Sequence, residues 1–147
     1  MIAMDTHDAV EARQPRRIGR SIGAVLAGML AIVLLDNGID FVLHSTGVYP
    51  PVGLAMADAL FLLAVAYRTI DGVLGCYIAG RLAPRNPLRH ALILGGIGMV
   101  LSSLGVVATV YGGPELGPLW YPLTLVAITP IVAWVGSTLA ARQRRAA

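Results

Sequence analysis

The stretch from Ala55 to Arg81 is long, largely apolar and compatible with a helix, yet near its middle it carries Arg68 and Asp71. An α-helix rises about 1.5 Å per residue, so Ala57 to Ala79 would cross a hydrocarbon layer of roughly 30 Å. Arg68 then stands roughly 16 Å from one end of that span, close to its midplane. A charge at that depth is expensive unless it is paired or faces water. The preceding apolar segment offers partners in Asp36 and Asp40, which lie four residues apart and share one helical face. The fold class predicted is all-α and integral to a membrane, a four-helix bundle closing around an Arg–Asp cluster.

Composition agrees with that reading. The 147 residues are 56% hydrophobic and only 13% charged, against about 25% charged in an ordinary soluble domain. A net charge of +3 would suit a nucleic-acid binder, but most of the arginines fall at predicted membrane boundaries. That placement explains the basic balance with no nucleic acid as partner. The single cysteine, Cys76, permits no intrachain disulfide and belongs to no CxxC or Cys/His ligand pattern.

Three segments are expected: a flexible cytoplasmic lead over residues 1–21, a transmembrane domain over 22–141, and a basic cytoplasmic tail over 142–147. The lead ends in Arg13, Arg16, Arg17 and Arg20, which reads as a positive-inside signal. The first helix runs roughly from Ile22 to Leu43 and turns polar at Asp36, Asn37 and Asp40 before His44; Pro50 and Pro51 follow its end. The second helix carries Asp58 in its first turn, where a carboxylate is favoured. Gly72, Gly75 and Gly80 give it small surfaces that let helices approach closely.

A short loop with Arg81, Arg85 and Arg89 leads to a third helix from about Leu88 to Tyr111, in which Gly98 and Ser102 form a small-xxx-small pair. The fourth, from Leu119 to Ala141, contains Pro130, which predicts a kink or a freed carbonyl. Trp120 and Tyr121 at its start fit an interfacial girdle. Both termini and the middle loop are basic, whereas the two other loops carry acids and no arginine. This asymmetry predicts N-in and C-in topology in a bacterial inner membrane.

The residues that bear chemistry are Asp36, Asp40, His44, Asp58, Arg68 and Asp71. Arg68 with Asp71 is the clearest pair. It either fixes how the first two helices face each other, or it forms an anion or proton site in a cavity with Asp36 or Asp71 titrating. Asp40, His44 and Asp58 line an outer mouth, with Asp36 deeper on the same face. The same set offers oxygen and imidazole ligands for a divalent metal, with a solvated vestibule as the alternative. Whether a metal binds is left open, and no other cofactor is indicated. No enzyme is predicted, because Ser45, Ser102 and Ser103 lack a nearby base at recognised spacing. The glycines of the third helix follow no strand and precede no lysine, so they form no nucleotide loop.

The segments YRTIDGVLGCYIAGRLAPRNPLRHALILGGIG and LGPLWYP resemble a family of small, uncharacterised bacterial inner-membrane proteins with four predicted helices. The resemblance extends from about Asp36 to Trp134. Positions matching the family's polar pattern are His44, Tyr67, Arg68, Arg81, Pro84, Pro87 and His90. At Asp71 that pattern more often carries glycine or alanine, which places Arg68 nearer the common core. The family implies an intact membrane domain and no catalytic residues. Beyond the bilayer itself, the expected partners are further copies of the chain, as a dimer or larger, and an unidentified membrane protein. The function expected is transport of a small solute or ion, with a non-catalytic scaffold as the alternative.

Overall fold

The computed structural model describes residues 14–113 and 116–146. Within them the chain forms four helices: α1 (Gln14–Ser45), α2 (Asp58–Leu82), α3 (Pro87–Gly112) and α4 (Trp120–Ala146). All four are long and apolar enough to cross a membrane. Most of the expected lead, residues 1–13, lies outside the described residues, as does Glu115 in the α3–α4 connection.

Two helices are longer than the hydrophobic pattern suggests. α1 begins at Gln14 rather than at residue 22, and α4 continues to Ala146 rather than stopping at residue 141. Hydropathy ends where arginine begins, but arginine is a good helix former, so the backbone need not stop there. Pro15 suits the first turn of α1, where an amide N–H would have no intrahelical acceptor. The end of α4 is held by its neighbours: Arg144 donates to the Arg81 carbonyl at 2.6 Å and to the Ala83 carbonyl, and the Tyr77 hydroxyl donates to Gln143 Oε1. α3 starts at Pro87, preceded by Asn86 in the left-handed region (φ 48°). α4 runs through Pro130 without a break.

α2 is the central element and packs against the other three. α1 leans on α2 and touches α3 over a short stretch, and its backbone does not come close to that of α4. The tightest packing lies toward the arginine-bearing end, where small residues meet. A methyl added at Gly28 would stand 2.5 Å from the Gly75 carbonyl oxygen, and one at Gly136 would stand 2.7 Å from the Val73 carbonyl oxygen. Cys76, Ala79, Ala91, Leu94, Val132 and Ala133 form the core there. Close backbone approach of this kind increases dispersion contact, which drives association where both helix and lipid are apolar. Gly98 and Ser102, the small pair expected to make a helix contact, instead line a cavity. The nearest atom to a methyl at Gly98 would be a Thr129 carbon at 3.9 Å.

Candidate functional site

Toward the other end of the bundle, α1 and α2 meet through charge rather than glycine. Gly28 lies against Gly75, and Ile32 beside them packs on the same crossing. Continuing along antiparallel helices from that register brings Asp36 and Asp40 beside the turn that carries Tyr67 and Arg68. Arg68 Nη2 donates to Asp40 Oδ2 at 2.9 Å, and Nη1 lies 3.8 Å from Asp36 Oδ2. The Tyr67 hydroxyl donates to Asp40 Oδ1. Both oxygens of Asp40 are therefore engaged by α2.

Arg68 does not pair with Asp71, contrary to the pairing their spacing suggests. Helical side chains point back toward the N-terminus of their own helix. Arg68 thus reaches away from Asp71 and toward the level of Asp40. Asp71 is 3% exposed and its Oδ2 has no hydrogen-bond partner. Its carboxyl group lies near that of Asp36. Asp36 Oδ1 and Arg68 Nε are likewise buried without a partner.

The six residues singled out from sequence separate into two groups. Asp36, Asp40, Arg68 and Asp71 come together, whereas His44 and Asp58 do not join them. His44 Nδ1 lies 2.8 Å from the Asp40 backbone carbonyl, not from its carboxylate, and the ring packs edge-on against Tyr49 at 5.3 Å. Asp58 is exposed in the first turn of α2. Asp40 is the nearest partner of Arg68, with its side chain still 31% exposed. Among the described residues, no three His, Cys, Asp or Glu side chains converge as a metal ion would require.

Two tyrosines complete the site. Tyr67 is buried, its ring 5.8 Å from the Arg68 guanidinium. Tyr121, placed at an interfacial girdle by sequence, turns inward to the cavity wall and packs on Phe61 at 5.1 Å. An aromatic residue with a polar tip beside an arginine inside an apolar run was the signal for Tyr67. Nothing local distinguishes Tyr121 from Trp120.

A cavity of about 390 Å³ opens beside this cluster, with walls from all four helices. Asp36 and Arg68 form its charged wall, Thr69, Ser102, Tyr121 and Thr129 add hydroxyls, and most of the remaining lining is aliphatic or glycine. Cys76 also borders the cavity, but it is buried and directs its Sγ toward the Ala91 carbonyl oxygen at 3.8 Å, as a packing residue does. Apolar walls with a few convergent polar groups are the usual composition of a small-molecule site. Comparison with protein-family models, with curated proteins and with solved structures finds no match to this chain.

Proposed function

We propose that this chain is a multi-pass inner-membrane protein, both termini cytoplasmic, that carries a small solute or ion through the cavity beside Arg68. The membrane reading is supported by four helices of spanning length. Their apolar side chains, among them Leu30, Leu34, Phe41, Val100 and Leu104, face outward. The orientation is supported by the arginines. Apart from Arg68, those of the described residues sit in the first part of α1, at the end of α2, in the α2–α3 loop, in the first turn of α3 and at the end of α4, all at one end of the bundle. Such a bias faces the cytoplasm. Further copies of the chain, as a dimer or larger, would cover α1 on the side where α4 does not reach.

The observation that carries the transport reading is the cavity itself. A scaffold calls for a dry, fully paired cluster. Here a cavity reaches Asp36 and Arg68, whose side chains keep 18% and 31% of their surface exposed. Charged side chains inside a membrane are costly, and they face water-filled cavities or mark pathways. The scaffold alternative draws its support from the Arg68–Asp40 and Tyr67–Asp40 contacts, which tie α1 to α2.

Aqueous access separates the two. In a Cys76→Ser background, Ser102→Cys places one thiol on the cavity wall. A membrane-impermeant thiosulfonate reagent is applied to right-side-out and to inside-out vesicles. Transport predicts labelling from both faces. Labelling from one face alone, or from neither, overturns it and leaves the scaffold.

A further inference from the structure

The cavity has an unclosed side. Val33 on α1 and Leu101 on α3 both line it, yet they are 49% and 58% exposed. Lining residues that are also exposed mark a mouth, and this one lies between two apolar side chains. α1 and α3 approach closely at Gly28 and Leu94, deeper toward the arginine-bearing end. The α1 and α4 backbones do not come close to each other. In a membrane, a mouth flanked by Val33 and Leu101 opens on acyl chains rather than on water.

The polar wall states what kind of group belongs there. Arg68 is already met by Asp40 and Asp36. Asp36 stands on the cavity wall with its side chain 18% exposed, while Asp71 lies outside the lining at 3% exposure. Two carboxylates, Asp36 and Asp40, stand against one guanidinium. The other helices bring no further charge to the wall: α3 contributes Ser102 and aliphatic or glycine residues, and α4 contributes Tyr121 and Thr129. An anion would add to an excess of acid. An ammonium supplies the positive charge and N–H donors for the Asp36 carboxylate. Arg68, also on the wall and 31% exposed, offers guanidinium N–H donors that suit a neutral oxygen close to that nitrogen.

We infer that the cavity takes a lipophilic amine in its protonated form, entering sideways from the bilayer between α1 and α3, its ammonium against Asp36 and a neighbouring neutral oxygen against Arg68. This deepens the transport reading by naming its substrate class. A volume of about 390 Å³ lies within the usual range for drug-sized ligands, roughly 300–1,000 Å³.

The test uses the full chain in lipid nanodiscs. The probe is propranolol, a fluorescent naphthyl amino alcohol, with 1-naphthoxyacetate as its anionic counterpart and empty nanodiscs to measure partitioning. Saturable propranolol binding above partitioning is expected, with none for naphthoxyacetate. Asp36→Asn weakens it at least tenfold, and Ser102→Trp, which fills the cavity from another helix, abolishes it. Val33→Trp slows association at least fivefold, because it narrows the mouth.

No saturable propranolol binding, equal binding of the anion, or indifference to both Asp36→Asn and Ser102→Trp overturns the substrate class. An unchanged association rate in Val33→Trp overturns the sideways entry. The two proposals fail separately. Labelling of the Ser102→Cys thiol from both faces without propranolol binding removes only the amine. Propranolol binding with that thiol unlabelled removes only transport.

Discussion

The two ends of the α1–α2 interface are built on opposite principles. Toward the arginine-bearing end, Gly28 and Gly75 bring the backbones together and Ala79, Ala91 and Ala133 fill what is left. Toward the other end the same two helices are joined through Asp36, Asp40, Tyr67 and Arg68, with a cavity alongside. The first end has no room for one methyl group, and the second has room for a ligand. A helix pair can be both only if the close crossing sets the register that the charged contacts then use. The glycine crossing sets the register, and the polar cluster makes its contacts within it.

Substitutions that violate the crossing test this division most severely. Gly28→Leu would drive a side chain into the Gly75 carbonyl and Leu94. It should cost about 3 kcal/mol, the upper end for overpacking a filled site. Unfolding by denaturant titration in bicelles measures the loss, and a change under about 1 kcal/mol would deny the crossing its role.

Arg68→Ala comes next, because it leaves Asp36 and Asp40 without their cation. Breaking a buried pair costs about 3–5 kcal/mol. The Arg68 side chain is 31% exposed, so roughly 2 kcal/mol is expected after solvent screening. Combining it with Asp40→Asn should recover part of the loss in a double-mutant cycle, and strict additivity would mean that the two side chains are not coupled.

Tyr67→Phe removes one hydrogen bond to Asp40 while Arg68 still holds the other oxygen. About 1 kcal/mol is expected in the same titration, as for a single bond with its acceptor still partly satisfied. The smallest effect sharpens the comparison most. Gly98→Ala places a methyl on the cavity wall with its nearest neighbour at 3.9 Å. It should be neutral or stabilising by up to about 1 kcal/mol, since alanine is the better helix former. Gly28→Ala, the same substitution at the crossing, should destabilise by about 1–3 kcal/mol. Equal outcomes for the two alanines would erase the distinction between the two ends.

Much of the fold was legible without coordinates. Four apolar runs of spanning length, separated by Pro50–Pro51, Pro84–Pro87 and the glycine-rich α3–α4 connection, leave little choice but four helices. Their ends were less legible at Gln14 and Ala146, since arginine interrupts hydropathy without interrupting a helix. The site was half legible. Depth inside an apolar run pointed to Arg68, Asp36 and Asp71, and periodicity put Asp36 and Asp40 on one face. Spacing within α2 suggested Arg68 with Asp71, because spacing records which residues share a face but not how far a side chain reaches along it. His44 and Asp58 were grouped with the acids on position alone, and their side chains turn elsewhere.

By itself, then, the sequence determined the number of helices, the biased distribution of arginine and the presence of charges that need partners. These follow from composition and local periodicity, which act residue by residue. The tertiary structure alone decided that Arg68 answers to Asp40, that Tyr121 faces inward, and that Gly98 and Ser102 border a cavity instead of a contact. Each depends on the register and separation of helices far apart in the chain. That register is set where Gly28 meets Gly75, a contact between two backbones that no local pattern in either segment specifies.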